Sequence, residues 1–301
     1  TKSTSSTCKA WGLMIVCQAT SAVAIEIIHD YSMDGFLLAF RRFYARYGNP
    51  VALVSDQGTQ LVAAAKEIKT WDWEAFGAAL DEKFQISWKF VPVDAPWMNG
   101  QSERHIGLAK KLLTRQLGGS KATAMEMITI FAEVEAILNS KPYVSALSDP
   151  SVGKPLTPQH LLGPRASRYS PGIALDGRTN LKKRFLFVQD CVDNFWRKYQ
   201  LLVFPSKIPF GKWTVEQANL NVGDVVQVLE GNAVGKVWVL ATVKEVVEDS
   251  DGKVRKVFVQ RLGLKGVQEV PVHRLRVIVR RLEDSGDPAG LNEEDDTKMK
   301  I

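Results

Sequence analysis

The chain has 301 residues, 39 Lys+Arg against 33 Asp+Glu and a formal net charge of +6. At roughly 100 to 200 residues per domain this length predicts two domains, each able to bury a core, and 45% hydrophobic with 24% charged residues excludes a disordered or fibrous chain. The longest apolar runs, such as residues 12–17, fall far short of the ~18 residues a membrane span needs, and no basic-then-apolar leader opens the sequence, so neither a membrane role nor secretion is expected.

Two β-rich runs in WGLMIVCQATSAVAIEII, residues 11–28, are broken by the polar stretch 18–21 and predict a hairpin. Residues 31–47 place Phe36, Phe40, Phe43 and Tyr47 four, three and four apart, the period of an amphipathic helix, with Arg41, Arg42 and Arg46 off the stripe. Gly48-Asn49-Pro50 ends that helix. The apolar run 51–54 then enters a turn at Ser55-Asp56-Gln57-Gly58. A helical stretch at 74–83, a strand at 86–91 and a loop at 94–100 follow. Two helices come next, at 102–117 and 122–139, the second presenting Met125, Ile128, Phe131, Val134 and Leu138 on one face. Pro142, Pro150, Pro155, Pro158, Pro164 and Pro171 mark 140–180 as a connector with little regular structure. From Leu181 the series Phe185, Val188, Val192, Phe195 and Tyr199 alternates steps of four and three, which predicts a helix. Beyond it, 224–229, 237–247, 254–261 and 267–272 are β-rich runs separated by turn residues such as Asp251-Gly252, the spacing of a small barrel of four or five strands.

Cys8, Cys17 and Cys191 lie too far apart for a metal pair and are odd in number, which fits a reducing, intracellular compartment rather than a disulfide framework. His29, His105, His160 and His273 are scattered, without zinc-site spacing; His105 and His273 read as local helix or turn residues. Charge is uneven along the chain. Residues 182–281 hold 18 Lys/Arg and 10 Asp/Glu, whereas 282–301 hold 7 Asp/Glu and 2 Lys. A basic second half with an acidic end fits a polyanion partner plus a solvated tail, the alternative being a solvated charged face.

Asp56 closes a buried-type strand and Glu103 opens a helix after a Gly-containing loop, with 46 residues between them. Strand-end and helix-start carboxylates can meet at one edge of a sheet and hold a pair of divalent ions, whose hard character calls for oxygen ligands and whose charge supports phosphoryl transfer. Each residue also has a local explanation. Asp before Gln-Gly makes an Asx turn, and Glu in a first helical turn is favoured by the macrodipole, with Ser102 ahead of it as a cap.

The surrounding strings decide between these. VSDQGTQLVAA at 54–64 and KFVPVDAPWMNGQSERHIGLAKKLL at 89–113 resemble the second and third acidic motifs of retroviral-type integrases. EVEAILNSKPYVSALSD followed by GKPLTPQHLLGP is similar, more specifically, to the integrase region of BEL/Pao-type retrotransposons. FWRKYQLLV, KWT, NLNVGDVVQV and VPVHRLRVI resemble the C-terminal module of the same family. The resemblance runs to about residue 279, with five motifs in the family's order.

The resemblance implies an α/β RNase H-like core, a mixed sheet with helices, followed by a small all-β SH3-like barrel. Residues 1–140 match the catalytic core, 141–180 the connector, 181–205 a helix linking to the barrel, 206–281 the DNA-binding barrel and 282–301 an acidic disordered tail. Asp56 matches the family's second catalytic, metal-binding aspartate and Glu103 its glutamate. Lys110 matches a lysine that lies beside DNA ends, and where a second lysine is common this chain has Gly107, with Lys111 and Arg104 as compensating cations. The family's first aspartate belongs on an opening strand in an Asp-x-x-Gly-Pro-like context. This chain has no Asp before Asp30, and Asp30 and Asp34 match no motif position. The expectation is therefore a chain cut within or just after its first strand, unable to catalyse alone, whose intact parent uses two Mg2+ (or Mn2+) ions for DNA 3′-end processing and strand transfer. DNA (element ends and target duplex) and further copies of the chain are the implied partners, with no small-molecule substrate, and the nucleus is the implied place of action. Rival readings are a non-catalytic nucleic-acid-binding or assembly protein derived from such an element, and a ribonuclease H-like nuclease, which leaves the basic barrel and the connector unexplained. Trp71 and Trp73 read as packing residues, Trp97 as a packing or substrate-contacting residue, and Trp196, Trp213 and Trp238 as anchors of the last helix and the barrel core.

Overall fold

A computed structural model of the chain describes residues 9–70, 86–92, 100–117, 119–143, 156–162, 183–203, 219–229 and 238–281. It is a mixed helix and strand protein with a five-stranded antiparallel sheet at its C-terminal end. The expected hairpin is β1 (Trp11–Val16) and β2 (Val23–Ile28), paired antiparallel from Trp11↔Ile28 to Val16↔Val23. Every residue of β2 is buried, which its unbroken apolar run permits because helices cover both of its faces. Helix α1 (Met33–Tyr47) lies on one face. Its N-terminus is capped by Ser32, whose hydroxyl accepts from Gly35 N–H at 3.0 Å, and Gly48 at φ 84° takes the left-handed turn that ends it. Gly35 has no room for a side chain, since a Cβ there would stand 2.7 Å from the Asp30 carbonyl oxygen. Glu26, the one acid in β2, points into this layer and is neutralised by Arg42 at 2.7 Å and by Arg46, both on α1.

On the other face of β2 lies α4 (Ala124–Asn139), which also closes the strand's outer edge. Asn139, 2% exposed, accepts from Val23 N–H at 2.8 Å and donates to Val23 O at 2.7 Å. Glu135 accepts from Ile25 N–H at 2.7 Å and from the Tyr47 hydroxyl. Side chains thus satisfy the backbone groups that a further strand would otherwise bond. Burial and the adjacent Glu135 carboxylate push the Tyr47 hydroxyl well above its ordinary pKa. The buried face of α4 is Ile130, Val134, Ile137 and Leu138, so the expected stripe was rotated: Met125 is 71% and Ile128 45% exposed. A Thr123–Glu126 capping box starts the helix.

Strands β3 (Ala52–Ser55) and β4 (Ser87–Phe90) form a second, parallel ladder. Helix α2 (Thr59–Thr70), which the sequence reading passed over, follows β3 and buries Ala64, Ala65 and Ile68. Its residues pack with Phe36 and Phe40 of α1, and the same cluster takes Leu13 from β1 and Leu53 from β3. Both ladders therefore sit under α1, yet no ladder joins β1 to β3 among the described residues. Helix α3 (Gly100–Leu117) packs against β1. It starts two residues earlier than expected, so Ser102 lies inside the helix rather than capping it. The expected stretch 74–83 and most of the loop 94–100, with Trp71, Trp73 and Trp97, lie outside the described residues. In the connector, α5 (Pro158–Leu162) is a single short helix among the described residues.

Helix α6 (Lys183–Val203) carries its four-three stripe inward, with Val192 and Phe195 fully buried against Leu112 of α3 and Ile130 and Val134 of α4. Arg184, at its first turn, pairs with Glu126 of α4 and holds that carboxyl down at about 2. The C-terminal sheet runs β8-β7-β6-β5-β9, from β5 (Val225–Val228), β6 (Val239–Glu248), β7 (Val254–Arg261), β8 (Val267–Pro271) and β9 (Leu275–Val279), with a 3-10 turn at Val272–Arg274 between the last two. Register shifts in the β5–β9 and β6–β7 pairs give the local twist that coils so small a sheet around its own valine-rich core. Trp238 does not join that core. It packs on Trp196 and Tyr199 of α6, with ring centroids 4.8 and 5.9 Å apart, and Trp213 lies outside the described residues. Among the described residues no helix is long and apolar enough to cross a membrane.

Candidate functional site

The end of β3 is fixed by its neighbour strand. Val91 N–H donates to Ser55 O at 2.8 Å and Trp88 Nε1 to Ser55 Oγ at 2.9 Å, and the chain then turns away through Asp56. The Asx turn foreseen from the sequence is present: Asp56 Oδ1 accepts from Gly58 N–H at 3.1 Å. Asp56 is exposed, and its second carboxylate oxygen has no partner among the described residues. Glu103 sits in the first turn of α3, also exposed and with no hydrogen bond or ion pair among the described residues. Ser102, beside it, accepts from Gln18 Nε2 at 3.4 Å, so the start of α3 reaches the turn that follows β1. Sequence reasoning missed Gln18, whose place in a polar hairpin turn gave no signal.

At about 100° per residue, Lys110 lies about 20° from Glu103 around the helix and Gly107 about 40° away on its other side. Arg104 and Lys111 form a neighbouring stripe, and all four charged residues are exposed. Lys110 and Lys111 carry no ion pair among the described residues. A Cβ at Gly107 would meet nothing within 4 Å. Should this face of α3 meet a DNA backbone, Gly107→Lys would raise duplex affinity about three- to tenfold at low salt through an added phosphate contact. It should also stabilise the chain by about 0.5 to 1 kcal/mol through helix propensity. Fluorescence anisotropy over a salt series and thermal melting check the two effects, and a lower affinity would place this face of α3 away from DNA.

Two uncommitted carboxylates offer hard oxygen donors suited to Mg2+. Among the described residues no group of three His, Cys, Asp or Glu that could hold a metal ion is gathered; Asp56 and Glu103 stand as two exposed carboxylates. The basic excess of the C-terminal sheet is partly spent internally. Arg255 pairs with Asp249 and Asp251, and Lys256 with Glu269 at 2.9 Å. Arg274 donates to Leu229 O at 2.8 Å and Arg280 to Asn219 O at 3.2 Å. Lys244 and Lys265 are exposed and carry no ion pair among the described residues. This pairing follows from cross-strand register, which a count of Lys and Arg does not contain.

Residues 183–278 match a family described as "Family of unknown function (DUF5641)", so α6 and the five-stranded sheet fall within one family unit. No curated protein matches the chain. Among solved structures, the cryoEM structure of a simian T-cell lymphotropic virus intasome in complex with PP2A regulatory subunit B56 gamma is similar, at 11% identity and a TM-score of 0.31, over 90% of this chain and 77% of that chain. At that overlap it gives no residue of this chain a role.

Proposed function

We propose that the chain is the core and C-terminal part of a BEL/Pao-type retroelement integrase, a polynucleotidyl transferase whose intact form joins element DNA ends to target duplex. The observation that carries this reading is the opening between the two ladders. Among the described residues, β1 and β3 share a cluster under α1 through Leu13 and Leu53 without pairing to each other. The two motif carboxylates belong to elements that border that opening, Asp56 ending β3 and Glu103 on α3, which packs against β1. A strand bearing the family's first aspartate would bond both open edges and bring a third carboxylate to the pair, completing an RNase H-like core. The C-terminal strand order, with a 3-10 turn before the last strand, supports an SH3-like module.

Bound Mg2+ would supply charge neutralisation at the reacting phosphorus, held by Asp56 and Glu103. The chain's own cations do the positioning. Lys110, on the Glu103 face, and Lys111 and Arg104 beside it hold backbone phosphates, which fixes register with little base preference. The 3′-hydroxyl of the processed end then attacks a target phosphodiester, one P–O bond forming as another breaks, with no covalent enzyme intermediate. Catalysis in this scheme is positioning and electrostatics, so no nucleophilic side chain is required.

The test uses the chain extended ahead of β1 by a strand of the family's Asp-x-x-Gly-Pro-like pattern, with labelled element-end duplex. Strand-transfer products should form with Mg2+ and vanish on chelation. Duplex affinity should fall steeply with salt, at a log–log slope of about −0.9 per phosphate contact. An extended protein that binds duplex in this way but yields no product with Mg2+ or Mn2+ would be a nucleic-acid-binding or assembly protein instead. A flat salt response would remove DNA as the partner.

A further inference from the structure

Gln227 and Arg276 are register partners on β5 and β9. Their chain neighbours Val226, Val228 and Leu275 fill the sheet's own core, so by strand alternation this pair lies on the opposite face. That face is nonetheless buried: Gln227 is 0% and Arg276 4% exposed. Arg276 Nη1 donates to Gln227 Oε1 at 3.3 Å, which leaves Arg276 Nη2 and Gln227 Nε2 buried without an acceptor. Trp196 Nε1, on α6, is a third buried donor without one. Among the described residues no carboxylate pairs with the guanidinium. Trp238, two residues before Leu240, the register partner of Gln227, packs on Tyr199 of α6 with ring centroids 5.9 Å apart. Asp224, the buried acid of this sheet, already accepts from Asn221 N–H at 3.0 Å and Arg281 N–H at 2.9 Å.

A buried cation with an unmet donor is a standing cost to the closed structure. The buried groups left unmet are donors, one of them on a cation, and their chemical complement is an anion with several acceptor oxygens. We propose that Arg276 and Gln227 form a subsite for a phosphate oxyanion at the junction of the C-terminal sheet with α6. Arg276 Nη2 is shut from solvent, so the phosphate enters as the sheet parts from α6, a junction held by the packing of Trp238 on Trp196 and Tyr199. The subsite stands on these donors and not on the two-metal reading; a chain without strand-transfer activity would keep it.

The experiment is thermal unfolding of the full chain in chloride, in inorganic phosphate at matched ionic strength, and with a short DNA duplex. The native chain should melt a few degrees higher in phosphate. Arg276→Met should raise the melting temperature in chloride, because it removes an uncompensated buried charge, and should lose the phosphate-dependent rise. The general salting effect of phosphate acts on native and variant chains alike, so the difference between them is the readout. Gln227→Leu, a milder change, should reduce the rise and carries the test should Arg276→Met not fold. A rise with duplex that Arg276→Met abolishes identifies a backbone phosphate as the source, and a rise with inorganic phosphate alone identifies the free anion. The native phosphate response persisting in the variants that fold would overturn the subsite.

Discussion

Replacing Asp56 by asparagine in the upstream-extended chain is expected to lower strand transfer by at least about 10³-fold, since metal-borne charge stabilisation is worth several kcal/mol and each ~1.4 kcal/mol is tenfold. The same variant should keep its melting temperature within about a degree, because the substitution preserves what the structure shows Asp56 doing. Its Oδ1 accepts one hydrogen bond, from Gly58 N–H, and an asparagine oxygen can accept that bond equally well. What asparagine removes is the negative charge and the uncommitted second oxygen. Turn-forming and metal-binding roles are thereby separated in one variant. Glu103→Gln should behave alike, losing activity with only a small stability change from the first-turn macrodipole. Strand transfer that survives Asp56→Asn would remove Asp56 from the metal site and return it to its turn.

The second large effect concerns the attachment of the C-terminal sheet. Trp238→Ala is expected to cost about 3 to 5 kcal/mol, the range for deleting a buried aromatic ring. The ring is 7% exposed, meets Trp196 at an interplanar angle of 69°, and donates from Nε1 to Ser140 Oγ at 3.2 Å. It stands immediately before β6 yet belongs to the cluster formed by α3, α4 and α6, so it links the sheet to the helical core. Its loss should therefore uncouple the two. Calorimetry should resolve two transitions in the variant where the native chain shows one, with the sheet's own valine core retained. A single transition at the native temperature would show that Trp238 is not the link. Trp238→Phe, which keeps the ring contacts and loses the Ser140 hydrogen bond, should cost no more than about 1.5 kcal/mol.

Local pattern was legible wherever the chain's own period settled the element. The hairpin at 11–28, α1 with its Gly48 stop, α6 with its four-three stripe and β7 at Val254–Arg261 all stood in the sequence, because alternation and the 3.6-residue repeat act over neighbours along the chain. Helix α2 carries the same kind of signal, with Leu61, Ala64, Ala65 and Ile68 at helical spacing. The stripe on α4 was misplaced. Met125 and Ile128 are apolar, but the helix is apolar nearly all round, so sequence alone could not say which side β2 and α6 would cover.

The candidate carboxylates were found from their strings, and the sequence located each on the right kind of element: a strand end and a helical first turn. Their lack of competing partners among the described residues was a matter of tertiary structure, as was the absence there of a ladder between β1 and β3. So was the fate of the basic residues. A count gave the C-terminal half a surplus of positive charge. The fold then spent Arg255 and Lys256 on neighbouring acids and buried Arg276 without one. Alternation along β9 places Arg276 on the outer face, which for a small barrel reads as solvent-exposed, and only the packing of that face inward reversed it. Sequence by itself determined the elements, the order of the motifs and the sign of the charge, because these depend on residues adjacent in the chain. Tertiary structure decided which faces meet, which charges cancel and which donors are left without acceptors, because those depend on residues brought together from as far apart as Val23 and Asn139.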